Sequence, residues 1–356
     1  MLLNLGNMKK NKQILWALVA FLLALLSVGA VLSQSRELTI SDLVSTLKGY
    51  EPFWVILAIV CGIGYIAMEA CALWYLLRSC GFPRSYFQTL EYASADIYCA
   101  AITPSATGGQ PVCAWFMKRD GIPMGYITAV LAMYLIMHTF ATLTIGFICL
   151  FASPGAFLDT SILSKFLIIL GYLTVTALGI LFLFLLRGQD RIFRVGCRII
   201  DWLVKKRLVK RPDYWKKKLK GTLDDYSAGI NMMHGKYRVL LLTFLFNLLQ
   251  RASQTVVSTL MYLAGGGAVR QAGRIFATQI FTSIGSMCLP VPGGMGVSDY
   301  LLYDGLRALM DKEAALKLEL LSRTTSFYLC VAVSLLIVII GYIRRKTFYF
   351  SLRLKK

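Results

Sequence analysis

Charge is scarce in this chain and one-sided. Asp, Glu, Lys and Arg make up 16% of its 356 residues, with 38 basic against 18 acidic. Histidine is scarcer still, at His138 and His234 alone. No plausible Ser/His/Asp set can be built from two histidines so placed, and neither HExxH nor a GxxxxGK[ST] phosphate loop occurs, which argues against a conventional hydrolase or an ATP-driven pump. The nine cysteines contain no CxxC pair and fall mostly in or beside apolar runs. They read as small membrane hydrophobes, neither a disulfide framework nor a zinc site, and no metal or cofactor is expected.

What is present is apolar. Hydrophobic residues make up 57% of the chain, which predicts an all-α, polytopic membrane helix bundle. The net charge of +20 is not spread evenly: residues 187–236 carry 14 Lys/Arg against 5 Asp/Glu, and much of the remainder flanks apolar spans. Cytoplasmic loops face anionic lipid in this way, so the expected partner is anionic phospholipid and not nucleic acid.

Lys9, Lys10 and Lys12 precede an apolar run over 14–32, which at about 1.5 Å per residue covers the roughly 30 Å hydrocarbon core. It is long for a signal peptide, and its basic flank predicts an uncleaved first helix with a cytoplasmic N-terminus. A second span over 52–77 carries Glu69, whose carboxylate is read as reaching headgroups or pairing with an arginine. Segment 86–117 holds Gln88, Glu91 and Asp96 and is too polar to face lipid all round. Glu91 and Asp96 are about 140° apart on a helix, so one is expected to face a cavity and the other water. Spans follow over 124–151 and 163–186. His138, inside the first of these, is read as packing or interhelical hydrogen bonding, with a proton relay as the sharper reading.

In the basic segment, Arg187, Arg191, Arg194 and Arg198 recur every three or four residues beside a stripe of Ile192, Val195, Ile199 and Trp202. That spacing predicts an amphipathic helix on the inner leaflet. The span 237–263 is punctured by Asn247, Gln250 and Arg251, and a mid-membrane arginine needs an internal partner. After a glycine turn over 265–267 comes segment 271–303, then a last span over 320–343 with Arg323 near its outer end. The basic tail is expected to be cytoplasmic. The expected organisation is one domain over 1–356: a first half over 52–186 with re-entrant 86–117, the basic segment, and a second half over 237–343 with re-entrant 271–303. Self-association stays open.

Two stretches organise the chain: TPSATGGQP over 103–111 and CLPVPGGMGVSDY over 288–300. A backbone interrupted by Gly and Pro at membrane depth must line a cavity or be buried in protein. Two such breaks in corresponding places of oppositely directed halves point to an inverted-repeat transporter site. Pro104, Pro290 and Pro292 would stop the incoming helices, and Gly108, Gly109, Gly293, Gly294 and Gly296 would let backbone approach a ligand. The half-helix N-termini, Arg251 and Arg323 are candidates for holding a phosphate. Glu91, Asp96 and Asp299 are candidates for a cationic headgroup or a proton, and Asp299 alternatively for capping the new helix.

TPSATGGQP with its KRDGIP sequel, and LPVPGGMGVSD, make the chain resemble the transmembrane flippase-like family that includes the membrane half of bifunctional lysyl-phosphatidylglycerol synthase/flippase, the multiple peptide resistance factor. The likeness covers roughly 14–342, with PxPGGxG its most specific element. It implies two re-entrant regions and, in the bifunctional members, movement of aminoacylated phosphatidylglycerol to the outer leaflet of the bacterial cell membrane, which protects against cationic peptides. The chain stops at Lys356, so a stand-alone form without the synthase domain is expected. QPVCAWFMKRDGIP, lacking an early arginine after Gly109, also matches stand-alone members. The expected function is lipid translocation of an aminoacylated phospholipid or a related phospholipid or glycolipid, with a separate synthase as candidate partner. The alternative is a membrane-embedded lipid-modifying transferase, or its accessory subunit.

Overall fold

The computed structural model describes residues 47–103, 106–187, 189–205, 212–233 and 235–354. The run over 14–32, Pro104 and His234 lie outside the described residues. Residues Glu51–Lys356 form one compact unit. The fold is all-α, with no strand among the described residues.

Among the described residues, the α-helices longer than about one turn are α1 (Pro52–Ser79), α2 (Tyr86–Ile102), α3 (Gly109–Arg119), α4 (Met124–Ala152), α5 (Ile162–Arg187), α6 (Gln189–Lys205), α7 (Pro212–Met233), α8 (Tyr237–Ala264), α9 (Ala272–Ser286), α10 (Val297–Arg307), α11 (Lys312–Arg323) and α12 (Leu329–Leu354). Four stretches among the described residues are long and apolar enough to cross a bilayer: Pro52–Ser79, Met124–Ala152, Ile162–Phe184 and Lys312–Arg344. The last joins α11 to α12 through a π-helical turn, Thr324–Tyr328. Such turns widen a helix locally and often mark functional sites.

α8 matches the spans in length, but its polar residues are turned inward. Asn247, Gln250 and Arg251 are all buried, where α8 packs along α1 and against α4. α1 and α8 make the most extensive helix–helix contact among the described residues.

Each broken segment is a pair of short helices. α2 has 17 residues and α3 has 11, while α9 has 15 and α10 has 11. At about 1.5 Å per residue, each falls short of the roughly 30 Å hydrocarbon core. Ser85 and Gln88 start α2 with a reciprocal capping box. The helix stops because Thr103 precedes proline and is extended (φ −115°, ψ 146°). Thr103 Oγ1 then bridges the break, donating to Cys99 O at 2.7 Å and accepting from Gly108 N at 2.9 Å.

Apolar packing falls on either side of the breaks. One cluster joins Leu73, Leu76, Tyr92, Met117, Ile127 and Met233. Another joins Ile145, Ile168, Ile280, Phe281 and Leu301. The basic segment divides in two. α7 docks on α4, with Gly125 set against Thr222 and Tyr226 and Gly229 against Ala129, a small-residue close approach. On α6, Val195 and Trp202 are 52% and 56% exposed, as are Arg194 and Arg198 in kind. The side chains of Arg187, Arg191, Ile192 and Ile199 lie outside the described ones.

Candidate functional site

The second break is built from prolines and left-handed glycines. Pro290 and Pro292 supply no backbone N–H, and Gly293, Gly294 and Gly296 take φ 58°, 64° and 79°, a region that side chains disfavour. The turn is then tied down. Asp299 Oδ2 accepts from Gly296 N at 2.8 Å and caps α10, Ser298 Oγ donates to Gly294 O at 2.9 Å, and Arg323 Nη2 donates to Gly293 O at 3.1 Å. Arg323 Nη1 also donates to Ser298 Oγ and to Asp299 Oδ1. Its guanidinium lies over Phe327 at 5.3 Å, in the π turn. Arg323 is therefore a strut that locks the break to α11.

The turn Pro292–Gly294 touches α2, so the two breaks meet. Where they meet, a cavity of about 790 Å³ opens between α1, α2, α4, α8, α9 and α11. Ala106, Thr107 and Gln110 reach it from the first break, and Pro290, Gly293 and Gly294 from the second. Ala106 sits at φ 56°, the one left-handed non-glycine among the described residues. That costs an alanine roughly 1–2 kcal/mol, and such strain clusters at functional positions.

The cavity has a cationic wall and an acidic wall. On the cationic wall Arg251 Nη2 contacts His138 Nε2 at 2.8 Å and Nη1 donates to Gln254 Oε1 at 3.1 Å, while Nε is buried without a partner. His138 is held from its other side by Asn247 at 3.3 Å. Arg251 is 7% exposed, and no carboxylate lies within ion-pairing distance of it among the described residues. On the acidic wall Gln250 Nε2 donates to Glu69 Oε2 at 2.6 Å, and Gln110 Nε2 donates to Asp96 Oδ2. Glu69 is 3% exposed and its Oε1 is buried without a donor.

Of the residues expected from sequence, the cavity gathers Asp96, Arg251, Pro290, Gly293, Gly294 and Arg323. Gly108, Gly109, Pro292, Gly296 and Asp299 stand behind its wall as the frame of the breaks. Of Glu91 and Asp96, expected to face one a cavity and the other water, neither faces water, and Glu91 does not line the cavity. It is buried against Gly341 of α12, while Asp96, on another face of α2, looks into the cavity. Glu69, read as reaching headgroups or pairing with an arginine, is instead buried against Gln250 and Asp96. The two half-helix N-termini already face carboxylates of the chain itself. Gly109, at the start of α3, lies against Asp96, and Asp299 caps α10. Arg251, by contrast, has no carboxylate within ion-pairing distance among the described residues. Gln250 stands out in the sequence only as one of three polar residues puncturing its span, and Gln110 only as part of the first motif; neither is assigned there to the site, where both donate to carboxylates.

A model of the lysylphosphatidylglycerol synthase TM region matches residues 14–334. A UPF0104 membrane protein of Archaeoglobus fulgidus is similar over 113 residues at 26% identity, covering 28% of this chain and 34% of the relative. That match spans about a third of the length of the relative. The family match takes in both breaks, Arg251, Arg323 and every wall of the cavity, so the membrane location and the fold rest on the same residues: the chain belongs to the lysylphosphatidylglycerol synthase TM region family.

Proposed function

We propose that this protein is a lipid translocase of the plasma membrane, in which the cavity receives a phospholipid headgroup and Arg251 holds its phosphate. The observation that carries the reading is a buried guanidinium without a carboxylate partner, aimed into a cavity where two backbone breaks meet. An arginine so placed is costly unless an anion completes it. A volume near 790 Å³ suits a headgroup, within the roughly 300–1,000 Å³ of small-molecule sites, and leaves the acyl chains in the bilayer. The short paired helices are re-entrant in this reading, and the two halves are inverted repeats that rock about the cavity. Glu69 and Asp96 face the cationic end of an aminoacylated headgroup, and a separate synthase supplies that lipid. The basic segment and both termini face the cytoplasm.

The test is a leaflet-accessibility assay on the purified protein in liposomes containing fluorescent phosphatidylglycerol, lysyl-phosphatidylglycerol or a glycolipid. The control is the Gly293→Leu/Gly294→Leu double variant. Movement of one lipid that is absent in the control supports translocation and names the substrate class. No movement of any lipid by folded protein defeats the reading. Headgroup modification by the chain alone, given an activated donor, would replace it with a transferase.

A further inference from the structure

The acidic wall asks for a different ligand from the cationic one. Glu69 on α1 and Asp96 on α2 come from helices packed side by side, and their carboxyl groups lie within hydrogen-bonding reach of each other. Both are buried, and both line the cavity. Each receives one amide N–H, from Gln250 and from Gln110, and Glu69 Oε1 is left without a donor. No Lys or Arg lies within ion-pairing distance of either among the described residues. Two carboxylates have only acceptor oxygens, so they can bond to each other only through a proton. Two unneutralised charges side by side in a low-dielectric wall repel strongly, and one proton removes half of that charge.

The surrounding groups leave the pair as the acceptor. Tyr65 on α1 and Tyr134 on α4 face it, as do Cys99 on α2 and Cys113 on α3. Those are weak acids. His138 on α4 turns Nε2 to the Nη2 of Arg251, and a guanidinium only donates, which assigns the histidine proton to Nδ1, facing Asn247. Arg251 on α8 is the nearby fixed positive charge.

We propose that Glu69 and Asp96 hold one exchangeable proton between them, and that loading and unloading this proton couples headgroup passage through the cavity to a proton gradient. The proposal rests on the translocase reading. Water on one side supplies the proton to a carboxylate oxygen, and water on the other side takes it back. No bond other than O–H forms or breaks.

The experiment reconstitutes the full chain in liposomes containing fluorescent phosphatidylglycerol, lysyl-phosphatidylglycerol or a glycolipid and imposes a gradient of one pH unit. One proton per lipid shifts the steady-state leaflet ratio about tenfold from unity. A protonophore is expected to return the ratio to unity. Glu69→Gln and Asp96→Asn are expected to hold the leaflet ratio at unity under the same gradient at whatever exchange rate each retains, a loss of coupling that a merely structural role would not give, and accumulation that persists in both variants overturns the proposal. Lipid that moves while its ratio stays at unity under the gradient overturns the coupling and leaves translocation standing. If no lipid moves, translocation fails and coupling fails with it. The proton itself is read separately by infrared spectroscopy of the protein in membranes. A carboxylic acid C=O band is expected in the parent, diminished in each single variant. Its absence from the parent, or its persistence undiminished in both variants, overturns the shared proton.

Discussion

Replacing Arg251 with methionine should move stability and function in opposite directions. The parent side chain makes two hydrogen bonds to neutral acceptors, at 2.8 Å to His138 and 3.1 Å to Gln254, and buries Nε with none. Hydrogen bonds to a charged group are worth roughly 1.5–3 kcal/mol each, so their loss alone would cost about 3–6 kcal/mol. Against this stands the several kcal/mol needed to keep an ion out of water. Methionine is close in length and fills the same volume without that penalty. The acceptors left behind line the cavity, where water can reach them. The terms nearly cancel, so Arg251→Met should unfold in detergent within about 1 kcal/mol of the parent, or above it. Lipid exchange should fall roughly tenfold or more, from loss of one charge-assisted bond of about 1.5–3 kcal/mol to the phosphate. Thermal unfolding and leaflet exchange on the same preparation decide it. A variant that loses several kcal/mol of stability would make Arg251 a structural strut, and unchanged exchange would remove it from the headgroup path.

Gly109→Ala would set a methyl group against the Asp96 carboxylate and 2.7 Å from the Asp96 backbone oxygen, which cannot swing away. It should destabilise the α2–α3 pair by about 1–3 kcal/mol, read by thermal unfolding. Gly294→Ala and Gly266→Ala both force alanine to positive φ, at 64° and 82°. Each should cost about 1–2 kcal/mol, but only the first, in the cavity wall, should slow lipid exchange. Asp299→Asn leaves Arg323 facing Ser298 and the Gly293 carbonyl without its counter-charge. The expected loss is about 3–5 kcal/mol, partly restored in the Asp299→Asn/Arg323→Met double variant, as a double-mutant cycle would show.

Much of the site was legible because membranes punish polar groups. Arg251, Asp96 and the two Gly/Pro breaks stood out against apolar runs, and all of them reach or frame the cavity. Asp299 was read with capping among its roles, and it does cap α10. Glu69 misled because a carboxylate near a span end has an ordinary explanation in headgroups. Only the packing of α1 against α2 and α8 shows it enclosed. Glu91 misled in the opposite sense, since its partner surface, Gly341, lies 250 positions away in the chain. The π turn left no mark either, because a single inserted residue per turn barely disturbs apolar periodicity over 320–343.

The sequence by itself determined the local features: where helices run and stop, which segments are apolar enough for a bilayer, and that two breaks carry special backbone. Each follows from residues within a turn or two of one another, through helix length, proline geometry and the cost of unsatisfied backbone. Tertiary structure alone decided which charges meet. Arg323 is tied to Asp299 and Arg251 is left to a histidine and a glutamine, although both read alike in sequence. Ion pairing depends on distances of a few ångströms between helices far apart in the chain, and only the packed bundle sets those distances.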